Sequence, residues 1–535
     1  MTDTGTLAGQ PSSIALGGAD IGQCLTRIHH DRFTSGIAIT DEVRVRDAER
    51  GHEHEARVLA AIATAYPGAV RIDGSGLEAI DETLDVMHKG AIVITGGRLV
   101  SRDGASVGAP DILLRVRDGY TPVEIKNHKV TGSGGIPATR SVATSLDPNA
   151  EEPAKFRGSR KRDLFQVAHY RYLLSEIGYA ASEAIVGVIG SETPYQCLWI
   201  DLDAGEPSLW DDYTSLRVAA EHAIRYGDTH QASPLVDPWW RGECKRCSWN
   251  DRCAAQLSAV DDVTLLTQLS DTARTELRSA GITRIGQVAK LTPDDVRVPD
   301  PSVVYQARAR TAGQLLRFDV DATPMDVPGA PVEIDFDIET YGGEIYLAGF
   351  LITRNGVSTY EPIADWTGTA RGERDLVAEM FEKLASWTRP DEIVQHWTDY
   401  EQRTLAEAGR RHDLTIPGYP SVDSWFDSNA VDLCDWTRKN LASPNGYSLK
   451  VVAPLCGFSW RDDDPGGRQS EVWFERFLAG EDEMKERLLR YNEDDVIAQL
   501  AIRTWLSGED SGSGPGSGIP SVLDWPANTA RVPSN

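Results

Sequence analysis

The sequence predicts an α/β protein with two mixed domains separated by a helical spacer, and three observations carry that prediction. Alternating strand-like runs and amphipathic helical runs interleave along most of the chain. Proline-rich breaks fall at Pro299–Pro301 and at Val327–Pro331, with a helical stretch before the second. Each half of the chain carries its own set of carboxylates at strand spacing.

With 535 residues, 41% of them hydrophobic and 25% charged, the chain is long enough for two or three domains with substantial cores. The limits read from composition are an irregular N-terminus at 1–20, a first domain at 21–258, a spacer at 259–326, a second domain at 327–507 and a flexible tail at 508–535. The stretch 130–160 holds Gly, Ser, Pro and Asn without an apolar period, which predicts a long loop inside the first domain. No run approaches the roughly 20 apolar residues of a membrane span, and no basic segment precedes the short apolar run at the N-terminus, so the expected location is cytoplasmic. Seven cysteines are too few for a disulfide scaffold in a chain of this size. A net charge of -27 excludes a protein that coats nucleic acid by bulk electrostatics. Local basic segments such as Arg157–Arg162 can still line a groove, or be a solvated loop.

The first candidate site begins at Pro110-Asp111. A strand leads from there into a tight turn, and Tyr120–Lys126 returns as the second strand of a hairpin, with Glu124 and Lys126 on one face. Two carboxylates joined by a hairpin can hold Mg2+ or Mn2+, and a lysine beside them can orient or deprotonate water and counter charge on a phosphorane-like transition state. Upstream, His54 or Glu55 on a helix can complete the metal shell. Downstream, Gln166 and Tyr170 form an i,i+4 pair on another helix.

Taken in order, Gly51…His54, Pro110-Asp111, Glu124-x-Lys126 and Gln166…Tyr170 resemble the RecB family of PD-(D/E)xK nucleases. The resemblance implies a restriction-endonuclease-like fold, metal ligands at His54, Asp111 and Glu124, a catalytic Lys126, and supporting or DNA-contacting roles for Gln166 and Tyr170. The spacing from Gly51 to His54 is one residue tighter than is common in that family, which leaves His54 and Glu55 both open.

Cys244, Cys247 and Cys253 give C-x2-C-x5-C, three soft ligands that need a fourth, for which Cys24 is the best remaining candidate. The wide split resembles the iron-sulfur staple of RecB-like nucleases and implies a [4Fe-4S] cluster with a structural role; zinc is the alternative. Cys197, Cys434 and Cys456 have no partner at ligand spacing and read as core residues. In the spacer, Leu277–Leu291 resembles a helix-hairpin-helix element, a device that turns backbone N–H groups toward a phosphate; a plain helical linker is the other reading.

The second candidate site begins at Val332–Thr340, a strand that alternation gives one face bearing Asp335, Asp337 and Glu339. Further on, Glu401 ends the stretch Ile393–Glu401, with Asp399 and Asp432 as fallback ligands, and Tyr491 and Asp495 are i,i+4 neighbours on a late helix. Four carboxylates and a tyrosine are the parts of a two-metal phosphodiesterase. The Asp337-Ile-Glu339-Thr and Tyr491-Asn-x-x-Asp495 pieces resemble the DEDD, DnaQ-like exonucleases of the RNase H-like superfamily, tyrosine type. That resemblance implies metal ligands at Asp337, Glu339, Glu401 and Asp495, a water-orienting Tyr491 and 3′→5′ polarity. Glu401 departs from the usual aspartate. Ser448-Leu-Lys450 is similar to a segment of the family's bacterial members.

The whole order resembles bacterial RecB-type nucleases and implies a DNA repair or DNA-processing exonuclease acting on single strands or ends. Two other readings stand beside it: an adaptor with one inactive nuclease domain that recruits a helicase or repair partner through Ile519–Trp525, and an RNA-processing nuclease.

Overall fold

A computed structural model describes residues 14–35, 42–267, 269–295, 298, 300–318, 327–463, 466–507 and 522. The chain divides into two compact units, Met1–Pro238 and Trp239–Asn535.

The first unit runs β1 (Leu16–Gly17), α1 (Leu25–Phe33), α2 (Glu42–Ala65), β2 (Val70–Arg71), α3 (Leu77–His88), β3 (Val93–Thr95), β4 (Leu99–Val100), β5 (Ser106–Gly108), β6 (Ile112–Val116), β7 (Gly119–Ile125), β8 (Thr131–Val142), β9 (Glu152–Phe156), α4 (Lys161–Ile177), β10 (Ile185–Ile189), β11 (Gln196–Asp201) and α5 (Leu209–Thr229). Eight strands form one sheet in the order β2-β3-β6-β7-β10-β11-β8-β9. β6 and β7 are the antiparallel hairpin expected from the sequence, with Ile112 opposite Val123. β7 then pairs in parallel with β10, and α4 lies in the crossover between them. Leu164, Val167, Ala168, Leu173, Leu174 and Ile177 bury α4 in the core. Its end is set by Gly178 at φ 82°, whose N–H returns to Ser175 and Leu174 carbonyls.

Two stretches expected to be irregular are ordered. Residues 1–13 lie outside the described residues, but Leu16 and Gly17 pair in parallel with Ser106 and Val107, and Leu16 is buried. The stretch 130–160 is largely a β8–β9 hairpin whose first strand pairs with β11. Its side chains are half-buried or exposed along most of its length, so the apolar alternation that normally betrays a strand is missing.

The second unit runs α6 (Asn250–Ala259), α7 (Asp271–Ser279), α8 (Ile285–Val288), α9 (Pro301–Ala312), β12 (Leu316–Arg317), β13 (Val332–Tyr341), β14 (Glu344–Arg354), β15 (Val357–Ala364), α10 (Ala370–Ser386), β16 (Glu392–His396), α11 (Tyr400–His412), α12 (Val422–Asn429), β17 (Ala430–Asp432), α13 (Leu433–Asn440), β18 (Leu441–Ala442), α14 (Leu449–Leu455), α15 (Gly467–Leu478) and α16 (Glu483–Ser507). It starts at Trp239, before the limit at 258 read from the sequence, and Trp240 is held from inside it: Arg274 Nη1 donates to the Trp240 carbonyl at 2.6 Å, and Trp240 N–H donates to Thr264 Oγ1 at 3.2 Å. Leu277, Ile282, Ile285 and Val288 share an apolar core with Val303 and Val304 of α9.

A five-stranded sheet has the order β15-β14-β13-β16-β17, with β13 antiparallel to β14 and parallel to β16. Alternation divides β13 cleanly. Ile334, Phe336 and Ile338 enter the main core, while Asp335, Asp337 and Glu339 face α16. On α16, Tyr491, Asp495, Gln499 and Arg503 recur every four residues and form a polar stripe laid across those acids. Close approach of the helix requires Gly349 of β14, opposite Asp337: a Cβ there would stand 1.8 Å from Asn492 Oδ1. The tail 508–535 lies outside the described residues except for Val522. That residue is buried with Ala309, Leu316 and Ala442, and its N–H donates to the Arg317 carbonyl at 2.8 Å. No helix among the described residues is long and apolar enough to cross a membrane.

Candidate functional site

In the second unit the acid face of β13 meets α16. Asp337, Glu339 and Asp495 each offer a carboxylate oxygen within 4.8 Å of the other two, the one such gathering of three metal-ligating side chains among the described residues. Burial raises all three carboxyls. For Asp337 the next cause is Glu339; Glu339, with Asp495 beside it, is pushed up to about 8; for Asp495 the contact with Lys450 works the other way. Like charges buried this close are unstable without a cation, so the donor set fits a divalent ion. Surrounding donors fix the oxygens. Asn492 Nδ2 donates to Asp337 Oδ2 at 2.9 Å, Ser470 Oγ to Glu339 Oε2 at 2.6 Å, and Trp460 Nε1 to Asp495 Oδ1 at 2.6 Å. Tyr491 is buried beside Asp495 and bonded to it, and burial followed by that carboxylate keeps the phenol protonated far above its usual range.

Glu401 is buried at the start of α11, outside the gathering of three, with His396 Nδ1 3.5 Å from its Oε2. Its charge still bears on Asp337. The two fallback acids have other work: Asp399 pairs with Arg403, and Asp432 caps α13 by accepting the Asp435 N–H at 2.8 Å. Asp335 is taken by Arg503, whose Nε and Nη2 donate to its two oxygens at 3.1 and 2.5 Å.

These shifts set a pH dependence. A carboxyl raised by folding binds more protons in the folded than in the unfolded state, so it withdraws stability as pH climbs from its unfolded pKa through its folded one. In EDTA the melting temperature of the protein should fall between about pH 5 and 8 from these three carboxyls, and millimolar Mn2+ should remove most of that fall. A profile in EDTA that is flat or rises across this range would contradict the acid triad.

In the first unit, the β6–β7 hairpin and α4 bring five expected residues together. Asp111 Oδ2 accepts the Ile125 N–H at 2.6 Å. Lys126 Nζ donates to Glu124 Oε1 at 2.9 Å and to Gln166 Oε1 at 2.7 Å. Gln166 Nε2 donates to Glu124 Oε1 at 2.7 Å and to Tyr170 OH at 2.8 Å. Burial raises Asp111 well above its ordinary value, with Glu124 adding to it, and burial likewise raises Glu124. For Lys126 burial opposes the charge, but Glu124, Asp163 and Asp111 together raise it, so the ammonium is retained. Glu124 Oε2 is buried without a hydrogen bond, a polar atom suited to a cation.

Of the two open residues on α2, Glu55 is the one whose charge bears on both Asp111 and Glu124. His54 is buried against the Tyr195 ring, centroids 5.5 Å apart, with Gly190 and Glu192 as its polar surroundings. Gln166 and Tyr170 also line a cavity of 470 Å³ with Gly18, Arg98 and Gly108. The Arg157–Arg162 segment leads into α4 just before Gln166, and most of it is exposed.

None of the seven cysteines, all of them described, is in a disulfide. Cys24 directly precedes α1, Cys244 lies in a 3-10 turn at Gly242–Arg246 that Cys247 follows, and Cys253 lies in α6; they do not form a gathering of three within 4.8 Å among the described residues. Cys197 and Cys434 are core residues as expected, and Cys456 is half-buried. Sequence reasoning missed Trp460, Ser470 and Asn492. The four-residue polar stripe on α16 was a signal for Asn492 beside it; a lone tryptophan and serine carry none.

Comparison with curated proteins and with solved structures finds no significant match. Residues 334–507 match the family model described as RNase_H superfamily, a span that begins on β13 and ends with α16. The C-terminal part of this chain is therefore an RNase H-like domain, of a fold that commonly uses divalent metals, and its acid triad of Asp337, Glu339 and Asp495 can bind one.

Proposed function

We propose that this protein is a divalent-metal-dependent nuclease that shortens single-stranded DNA or DNA ends from its RNase H-like domain, with a second hydrolytic site in the first unit. The observation that carries the reading is the convergence of Asp337, Glu339 and Asp495 beside Tyr491 within that domain. Bound Mg2+ or Mn2+ would activate water and stabilise the leaving oxygen. The chain's own residues supply the rest. Asp337, Glu339 and Asp495 hold the ion, with Glu401 as a fourth carboxylate near Asp337. Tyr491, kept protonated by burial and by Asp495, to which its hydroxyl donates, would accept a hydrogen bond from the water on its phenol oxygen and so position it. Polarity 3′→5′ follows from likeness to tyrosine-type DEDD exonucleases.

In the first unit the reading is a RecB-like PD-(D/E)xK site, with Asp111 and Glu124 as metal ligands and Glu55 or His54 completing the shell. Lys126 stays charged to face the phosphate, and Gln166 and Tyr170 hold it. The helix-hairpin-helix likeness of α7 and α8 supports contact with a phosphate backbone. On sequence order alone, Cys24, Cys244, Cys247 and Cys253 are assigned to a [4Fe-4S] cluster; anaerobically purified protein should then be brown and contain iron and acid-labile sulfide.

The test is digestion of 5′-labelled and 3′-labelled single-stranded DNA and of RNA of the same sequence, with Mg2+, Mn2+ or EDTA. A ladder of 5′-labelled DNA fragments that needs metal supports the reading. Preference for the RNA makes it an RNA nuclease, and no cleavage with any metal returns the protein to a binding role.

A further inference from the structure

Beside the acid triad the protein holds a cation of its own. Lys450, the second residue of α14, reaches Asp495 Oδ1, the same oxygen that accepts from Trp460 Nε1. Its ammonium lies 4.1 Å from the centroid of the Trp460 ring and 4.5 Å from that of Tyr491. Two ring faces and a carboxylate hold an ammonium in place with little freedom. Its field also reaches Asp337 and Glu339. Glu401, the fourth carboxylate, is outside the gathering of three and stands next to His396.

The ligand inventory is therefore smaller than that of a site for two ions. One oxygen of Asp495 is already engaged by Lys450 and Trp460, and Glu401 lies outside the gathering of three. We propose that Lys450 is the second cation of this site, a catalytic residue whose fixed ammonium stands in for a second divalent ion, so that the C-terminal site works with one. Unlike a second metal, an ammonium on the chain is present at any metal concentration, and its donors can face a non-bridging oxygen of a phosphodiester. The inference rests on the hydrolytic reading above.

The experiment is Mn2+ binding followed by electron paramagnetic resonance in the presence of thymidine 5′-monophosphate. It uses the full chain with Asp111→Asn and Glu124→Gln to silence the first site, with and without Lys450→Met. The expected count is one Mn2+ per chain with no spin-coupled pair. Lys450→Met should still bind one ion, about tenfold more tightly because a like charge is gone, while cleavage of single-stranded DNA slows about 100-fold. A lysine that only packs the cage would weaken binding and turnover together, which overturns the proposal. Two spin-coupled Mn2+ ions without the Lys450 substitution overturn it as well and leave the nuclease reading intact. No Mn2+ binding removes both. The count without Lys450→Met decides the matter even if that variant does not fold.

Discussion

Replacing Arg503 with methionine should destabilise the second unit by about 3–5 kcal/mol in urea unfolding. Arg503 and Asp335 are both buried, and the guanidinium contacts both oxygens of Asp335 and also Glu333. Removing it leaves a carboxylate in the core with no counter-charge. Asp335 is already raised by burial in the face of Arg503's opposing pull, so it would take up a proton, and the loss should shrink as pH falls. The double change Asp335→Leu with Arg503→Met removes both charges and should recover most of the stability, because the pair's desolvation cost nearly cancels its attraction. A double variant as unstable as the single one would show that the ion pair has a further role in docking α16.

Asp337→Asn should have the opposite profile. Activity of the C-terminal site should fall on the order of 10³-fold, about 4 kcal/mol of transition-state stabilisation, with a melting temperature in EDTA equal to or above that of the unaltered protein. One charge leaves a crowded group of buried acids, and Asn492 Nδ2, now bonded to Asp337 Oδ2, keeps an amide oxygen as its acceptor. A variant that lost stability along with activity would mean that Asp337 holds the fold rather than a metal.

Where a site sits on regular elements, its residues could be read in advance. Period-two alternation put Asp337 and Glu339 on one face of β13, and the four-residue helical spacing paired Tyr491 with Asp495. The same two rules placed Glu124 with Lys126 and Gln166 with Tyr170, and the structure brings all four of those together with Asp111. Alternation alone could not separate Asp335 from its two neighbours. What distinguishes it is Arg503, 168 positions away in the chain. Glu55 and His54 are adjacent in sequence and differ only in which side of α2 meets the hairpin, a matter of tertiary packing. Trp460 and Ser470 lie in and after a loop with no period to betray them. The β8–β9 hairpin stayed hidden because its strands expose polar side chains on both faces, and near the unit boundary at Pro238 Trp240 accepts from Arg274 and donates to Thr264, bonds that no local composition announces.

Hydrolysis of phosphodiesters at two separate places is what the proposed function requires of this chain. Its most direct test is degradation of end-labelled single-stranded DNA in Mn2+ by the unaltered protein, Lys126→Ala, Asp337→Ala and the double variant. Each single variant should lose part of the activity and the double variant all of it, with the labelled end reporting the polarity of each site. Full activity in Asp337→Ala, or degradation that persists in the double variant, would contradict it.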